Sequence, residues 1–307
     1  MTETPETNES GPDLAALLDE RRQLINLAYR LTGSLADAED VVQETYLRWY
    51  ALPEEQRDAI ESTGAWLTKV ASRVCLDLLR SARHRRERYV GEWIPEPVPD
   101  RNEWVGAGTE AAPVDPADRV TLDESVNMAF LVVLDSMTPA ERVAFILHDV
   151  FRYPFADVAE IVGRSPAACR QLASSARGRI QSAHVHTPAA GQAEIIRDFK
   201  RAWEAKDISA LIALLDPEVT AVADGGGLVT AELHPINGSA QVARTVVDLA
   251  TRLPGLTLLE RTVNGSPGLV LQEDGSTVTV MAFGLEGGRI RHIWAVRNPE
   301  KLRPWTR

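Results

Sequence analysis

Two arginine-rich segments carry the side chains best suited to chemistry, and that chemistry is the binding of phosphate. From Trp66 to Tyr89 the sequence has seven Lys and Arg against two acids, a net charge of +5. From Gly163 to Ala183 it has four Arg and no acid, a net charge of +4. The 307-residue chain carries −11 in total, so the rest of it carries −20. Such segregation indicates a nucleic-acid footprint on an otherwise acidic protein.

Other reactive side chains are sparse. Cys75 and Cys169 are the two cysteines, and they lack the spacing of a metal site or a redox pair. We therefore expect no metal, no cofactor and a reducing, cytoplasmic location. No apolar run reaches the ~18 residues that a membrane helix needs, and the acidic N-terminus is unlike a signal peptide, so we expect no membrane partner.

The second basic segment belongs to a helix-turn-helix. An apolar-periodic helix from Phe155 ends at Gly163, Ser165 is suited to an N-cap, and Pro166 suits the first helical position. The following helix places Cys169 on its packed face and a polar face opposite. That polar face predicts a helix that enters a major groove of DNA. The residues predicted to bind DNA here are Arg164, Ser165, Arg170, Gln171, Ser174 and Arg177.

The first basic segment lies in a helix predicted over about Thr63 to Arg88, which has an apolar stripe on one side. Its bases suit a phosphate backbone, where contact is strong and independent of sequence. Those predicted to bind DNA are Lys69, Arg73, Arg80, Arg83, Arg85 and Arg86. The helix before it, which opens at Ser34 and stops at Pro53, is strongly acidic. DNA would repel that surface, so we expect it to face a protein.

Composition divides the chain into five parts. Residues 1–12 form a polar acidic tail predicted to be disordered, and residues 13–90 read as amphipathic helices. Residues 91–120 are rich in Pro and Gly and predict an extended linker. Residues 121–183 are helical again. Residues 192–307 read as two helices, a strand, a helix and four strands, which predicts an α+β domain with a curved antiparallel sheet.

The stretch from Ala28 to Trp49 resembles domain two of the bacterial extracytoplasmic-function (ECF) RNA polymerase sigma factors. The resemblance implies that residues 13–90 bind core polymerase and the minus-ten element, and that residues 121–183 are domain four, which reads the minus-thirty-five element. It further implies that one acidic helix docks on the clamp of core RNA polymerase. The residues implied to bind polymerase are Asp37, Asp40, Val41, Gln43 and Glu44.

Three short motifs are similar to signatures of ECF sigma factors fused to a C-terminal SnoaL-like domain, which has the NTF2-like cone fold. They are Trp93–Pro97 (WIPEP), Asp224–Gly227 (DGGG) and Asn298–Leu302 (NPEKL). The resemblance implies that residues 192–307 regulate activity through the linker and domain two, so a separate anti-sigma factor is not required. The implied regulatory contacts are Trp93, Pro95, Glu96, Pro97, Asp224, Gly225, Gly226, Gly227, Asn298, Pro299 and Lys301.

Two other functions stay open. SnoaL-like domains include cyclases and isomerases, and Asp224, His234, His292 and Trp294 could line a pocket, although their spacing matches no catalytic motif. A helix-turn-helix joined to a small-molecule cup also describes a ligand-sensing regulator, but that class needs neither the acidic helix nor the first basic helix. A ligand in the cone is left open. The sequence thus predicts a multidomain sigma factor that is not an enzyme: two all-α domains, then an α+β cone.

Overall fold

The structure, a computed structural model, describes residues 14–86, 89–99, 127–183 and 191–306. Its first helical unit contains α1 Leu14–Thr32, α2 Leu35–Tyr50, α3 Glu54–Asp58 and α4 Thr63–Arg86. The periodicity of the sequence predicts α1, α2 and α4, and the short α3 is an addition. The predicted disordered tail, residues 1–12, lies outside the described residues.

The α1–α2 junction is set by local chemistry. Gly33 takes a left-handed conformation (φ 73°) that a residue with a side chain adopts only with strain, and α1 ends there. Ser34 is the N-cap of α2, and its hydroxyl accepts a hydrogen bond from the Asp37 amide at 3.2 Å. This junction matters below because the linker binds to it.

The second helical unit contains α5 Met128–Asp135, α6 Pro139–Phe145, α7 Phe155–Val162 and α8 Pro166–Ser182. Gly163 ends α7 with a φ of 72°, and the Ser165 hydroxyl caps α8 by accepting from the Ala168 amide at 3.2 Å. The predicted helix-turn-helix is therefore present. After α6 the chain continues as a π-helix at Ile146–Val150. Residues 100–126 lie outside the described part of the chain.

The C-terminal extension packs three helices on a six-stranded sheet. Its elements are α9 Gln192–Glu204, α10 Ile208–Leu214, β1 Leu215–Asp224, β2 Ile236–Asn237, α11 Ser239–Arg252, β3 Leu256–Val263, β4 Ser266–Glu273, β5 Ser276–Glu286 and β6 Arg289–Val296. The strand order is β2-β1-β6-β5-β4-β3. The expected purely antiparallel sheet is wrong at one pair, since β1 and β6 run parallel. They do so because the chain passes through α11 and the β3–β5 meander before β6 returns beside β1, and β6 then runs in the same direction as β1.

Both faces of this sheet are apolar and covered. The inner face packs on α9–α11, and the interior is filled by large side chains that include Phe199, Trp203 and Phe283. The outer face, with Val280 and Val296, is covered by Ile94 of the linker, Met128 of α5 and Leu302 of the C-terminal segment. The α+β cone is thus confirmed, and its outer face is joined to the rest of the chain.

The two helical units share one hydrophobic core. Leu31 and Ala71 of the first unit lie in the same buried cluster as Leu147 of the second. Arg142 of α6 crosses between them: it donates to the Leu31 carbonyl at 2.8 Å and pairs with Asp135 at 2.9 Å. Its guanidinium is 4% exposed, and burial lowers the pKa of Arg142 to about 10, so it stays charged at neutral pH. None of the described helices is long and apolar enough to cross a membrane.

Replacing Arg142 tests this junction. Arg142→Ala removes a buried guanidinium that binds both Asp135 and the Leu31 carbonyl, so we expect the free energy of unfolding to fall by about 3 kcal/mol. Urea denaturation followed by circular dichroism measures it. Arg164→Ala, at an exposed position of the same unit, should change stability by less than about 0.5 kcal/mol. Equal effects of the two variants would contradict the shared core.

Candidate functional site

The linker from Gly91 to Pro99 lies between the first helical unit and the extension. Residues 94–98 are all buried, whereas Trp93 is only half-buried. Ile94, at 1% exposure, is the deepest side chain of the linker and enters the outer-face core. Pro95 contacts the α1–α2 junction at Gly33, and the Pro97 carbonyl accepts a hydrogen bond from the Trp305 indole at 2.8 Å. The linker is therefore held from both sides.

Asp224, at the end of β1, is the centre of the contact. It is 0% exposed, and four donors satisfy its carboxylate. Oδ1 accepts from the Tyr89 hydroxyl at 2.6 Å and the Gly226 amide at 3.0 Å. Oδ2 accepts from the Ile94 amide at 3.0 Å and from Lys301 at 2.7 Å. A buried carboxylate with a complete set of donors holds its partners in fixed positions.

The NPEKL segment completes this network. The Lys301 ammonium lies 4.1 Å from the Trp93 ring centroid, a cation–π contact, and also donates to the Ile94 carbonyl. The Asn298 amide donates to the Tyr89 hydroxyl at 2.9 Å. Burial and the hydrogen bond to Asp224 raise the pKa of Tyr89, so its hydroxyl keeps the proton that it donates.

Pro299 is exposed in the turn before Lys301, and its contact with the linker stays a prediction.

The glycines of the DGGG turn permit close approach. Gly226 has a φ of 62°, and a Cβ there would overlap the Asn298 amide. Gly227 has a φ of 72°, and its Cβ would lie 3.0 Å from Val90. Gly225 is buried, where a Cβ would meet the Val229 carbonyl at 2.5 Å. Gly226 and Gly227 require glycine because the backbone turns left-handed there while a second segment packs against it, and Gly225 requires it because its own loop folds back onto it.

Asn264, in the β3–β4 turn, makes a second contact that the sequence analysis missed. Its side-chain oxygen accepts from the Val98 amide at 3.1 Å, and its own amide donates to the Val98 carbonyl at 2.8 Å. Its side-chain nitrogen donates to the Tyr29 hydroxyl at 2.8 Å, which in turn donates to the Glu96 carbonyl at 2.6 Å. The Asn264-Gly265 dipeptide predicts a hairpin turn. Nothing in that signal indicates that the turn binds α1 and the linker.

Glu96 joins the linker to the start of α2. Its amide donates to the Gly33 carbonyl at 2.8 Å, and its carboxylate accepts from the Leu35 amide at 2.8 Å. The residue is 5% exposed, and burial raises the pKa of Glu96 to about 7. The linker thus contacts the helix on which the implied polymerase-binding residues lie.

Those α2 residues divide between surface and core. Asp40 and Gln43 are exposed, Asp37 and Glu44 are half-exposed, and Glu44 pairs with Arg48 at 2.8 Å. Val41 is the exception. At 1% exposure it lies in the helical core, so its side chain does not reach a partner surface. The implied contact at Val41 is therefore wrong, and its role is to fix the orientation of α2.

Two of the basic residues of α4 contact the second helical unit. Lys69 pairs with Glu160 of α7, and Arg73 donates to the Glu160 carbonyl at 3.1 Å. The hydrogen bond from Lys69 and the positive charges of Lys69 and Arg73 lower the pKa of the Glu160 carboxyl. Arg80 is exposed and pairs with Asp77 at 3.3 Å. Three further bases occupy the last turns of α4, with side chains outside the described part: Arg83, Arg85 and Arg86.

The polar face of α8 is mostly exposed. Four predicted DNA contacts lie at the surface around its start and along its length: Arg164, Ser165, Gln171 and Ser174. Arg170 is exposed as well and lies 5.5 Å from the Phe155 ring centroid. Arg177 is half-buried and pairs with Asp149 at 2.6 Å. The packed face is correct, since Cys169 is buried, and burial raises the pKa values of both cysteine thiols.

Comparison with known proteins decides the family. The family models of Sigma-70 region 2 and Sigma-70, region 4 match residues 17–85 and 127–180. The ECF RNA polymerase sigma factor SigJ of Mycobacterium tuberculosis is 39% identical over 92% of this chain and 90% of its own length. This chain belongs to the ECF RNA polymerase sigma factors.

One further relative and one solved structure agree with this assignment. The probable ECF sigma factor SigI of Mycobacterium tuberculosis is 33% identical over 97% of both chains. The crystal structure of Mycobacterium tuberculosis SigJ superposes with a TM-score of 0.74 at 34% identity, covering 95% of this chain and 99% of that one. The similarity to that sigma factor therefore includes the extension as well as the two helical units.

The acid–base candidates of this ECF sigma factor do not meet inside the cone. Asp224 binds the linker, and Trp294 lies in the outer-face core. His292 stacks on Trp294 with ring centroids 5.4 Å apart, and burial lowers the pKa of His292. His234 is exposed. A cleft of about 380 Å³ lies elsewhere, between Val90 and the loop that follows the DGGG turn.

Asp224→Asn tests the network in the sigma factor. The substitution keeps the size of the side chain but removes the buried negative charge that pairs with the Lys301 ammonium, so we expect the free energy of unfolding to fall by about 3 kcal/mol. Thermal and urea denaturation measure it. Asp198→Asn, which removes an exposed carboxylate from α9, should be nearly neutral. A neutral Asp224→Asn would show that the network does not hold the linker.

Proposed function

We propose that this sigma factor binds core RNA polymerase through the exposed residues of α2, namely Asp37, Asp40, Gln43 and Glu44. It binds the promoter through the basic faces of α4 and α8, and so directs polymerase to specific promoters and helps to open the duplex. The charge segregation supports this division, because an acidic helix suits a basic protein surface and the basic helices suit phosphate. The proposal assigns no covalent chemistry to the chain.

We propose further that the described arrangement is a closed form in which the extension restrains both sigma units. Lys69 and Arg73, proposed to contact DNA, are engaged by Glu160 of the second unit. DNA would have to displace that contact, and α4 and α7 would have to separate for DNA to pass between them. In this proposal the closed form binds the promoter more weakly than an open form.

The linker provides the restraint. Its segment at residues 94–98 is bound by Tyr29, Gly33 and Leu35 of the first unit and by Asp224 and Asn264 of the extension. The extension therefore acts where a separate inhibitor would act, and no anti-sigma factor is needed for restraint. The burial of this segment between the first helical unit and the extension is the observation that carries the proposal.

Charge reversal on α2 tests polymerase binding. Asp40→Arg places a cation where we propose contact with a basic surface, so the affinity for core polymerase should fall by about tenfold or more. Fluorescence anisotropy of the labelled chain measures the affinity, and run-off transcription measures the consequence. Glu55→Arg in α3, also exposed, is the matched control and should retain binding. Equal losses in both variants would indicate non-specific electrostatics.

Loosening the linker contacts tests restraint. The double variant Asp224→Ala, Asn264→Ala removes one contact at each end of the linker, so a larger fraction of molecules should be open. Apparent affinity scales with the competent fraction, and we expect promoter complexes at limiting polymerase to increase by about fivefold.

A dye pair at two exposed glutamines, Gln56→Cys in α3 and Gln241→Cys in α11, should report a lower transfer efficiency in the double variant. Cys75 and Cys169 are buried, so labelling favours the introduced thiols. Asp198→Ala is the control. A lower transfer efficiency without a gain in promoter complexes would contradict the inhibitory role of the extension. An unchanged transfer efficiency would contradict the closed form itself.

A further inference from the structure

The π-helix at Ile146–Val150 contacts the polar face of α8, the second helix of the helix-turn-helix. Asp149 of the π-helix pairs with Arg177 of α8: the Arg177 Nε atom donates to Asp149 Oδ1 at 2.6 Å. The Asp149 side chain is 21% exposed and that of Arg177 is 42% exposed. The pair therefore joins an acid that is mostly covered to an arginine at the surface. Single π-helical turns occur frequently at functional sites.

The geometry of the pair leaves part of each partner available. Nε is the guanidinium nitrogen nearest the main chain, and none of the described residues binds the two terminal amino groups of Arg177. Within the same part of the chain, the buried Asp149 Oδ2 atom has no hydrogen-bond partner, so the contact is a single hydrogen bond. The terminal amino groups lie in one plane and match two oxygens of a phosphate. An arginine held at Nε thus presents a preset fork to an anion.

The other arginine on this face of α8 is also supported by the π-helix. Arg170 lies 5.5 Å from the centroid of the Phe155 ring, which stacks on the His148 ring with centroids 3.7 Å apart. His148 precedes Asp149 in the π-helix, and its Nδ1 donates to the Tyr153 carbonyl at 2.9 Å, which fixes the ring. Two neighbouring residues of the π-helix therefore support the two arginines, one directly and one through Phe155.

We propose that Asp149 is a positioning residue for promoter binding: it holds Arg177 so that the terminal amino groups meet a phosphate of the DNA backbone. The DNA-reading helix of this motif contacts base edges with its N-terminal residues. Arg177 lies about 10 Å beyond Arg170 along the axis of α8, so it suits a phosphate at the edge of the groove. This inference rests on the proposed function of α8.

Positioning and simple charge predict opposite signs for the loss of Asp149. By charge alone, removing an acid beside a DNA-binding face strengthens binding to a polyanion. If Asp149 positions Arg177, its removal weakens binding, because the Arg177 side chain must then be ordered when DNA binds. The sign of the change in promoter affinity therefore distinguishes the two roles.

The experiment uses holoenzyme assembled from core polymerase and the full chain. The probe is a labelled promoter fragment that the unaltered holoenzyme has selected from random-sequence duplexes, and fluorescence anisotropy measures its affinity. We expect Asp149→Ala to weaken promoter binding about fivefold. Asp157→Ala, which removes an exposed acid from α7 of the same unit, is the matched control and should bind as well as the unaltered chain or better.

Dependence on Arg177 separates positioning from a general defect in the fold. Arg177→Ala should weaken promoter binding about tenfold, and adding Asp149→Ala to it should cost less than about twofold more. A merely structural Asp149 would instead cost the same fivefold in both backgrounds. Such additivity, or stronger binding by the single variant Asp149→Ala, would overturn the inference.

A second variant leaves Asp149 in place. Arg177→Lys keeps the positive charge at a partly exposed position, but its single ammonium lacks the separate Nε and terminal donors. We expect promoter binding to weaken about fivefold or more, and binding equal to that of the unaltered chain would overturn the inference. If the unaltered holoenzyme selects no promoter, the proposed function itself fails. If it selects one and Asp149→Ala binds it normally, only the positioning role fails.

Discussion

A peptide segment that is buried without being part of a helix or sheet must find a partner for each backbone amide and carbonyl. The linker meets this constraint with side chains from both neighbours: Asp224 for the Ile94 amide, Asn264 for Val98, and Tyr29 for the Glu96 carbonyl. Each of these side chains is itself buried. Releasing the linker would leave several of them unsatisfied at once, so the segment should bind and dissociate as a unit.

The apolar face beneath the linker adds to this cooperativity. The outer face of the sheet includes Val280, Val296 and Trp294, which the linker, α5 and the C-terminal segment cover. Opening would expose part of that face to water, at about 25 cal/mol for each Å² of apolar surface. The polar contacts therefore determine where the linker binds, while the apolar contacts supply much of the free energy. Core polymerase would have to offset both terms.

Local chemistry explains what the sequence predicts well. The Gly163 turn and Ser165 cap define the helix-turn-helix, and alternation predicts β3 at Leu256–Val263. The errors arise from long-range packing. The parallel β1–β6 pair depends on topology, and Val41 faces the core because α1 and α4 lie beside it. Tyr29, Asn264 and Glu160 were missed because their partners lie 67 or more residues away along the chain. For the polymerase and DNA contacts, the structure gives position and exposure only.

The contacts between the two helical units differ in strength, and this difference determines which of them can control the opening of the proposed closed form. Lys69 and Glu160 are substantially exposed, so their pair contributes little and DNA phosphates can replace it. Arg142, by contrast, is 4% exposed, joins the two helical units through the Leu31 carbonyl, and is paired with Asp135 of its own unit. A polyanion at the surface cannot reach this buried guanidinium, so it cannot take the place of its partners. In the proposed closed form, the bases proposed to bind DNA therefore respond to closure without maintaining it. Control of opening would lie in the buried contacts of the linker and of Arg142, which are remote from the proposed DNA-binding faces.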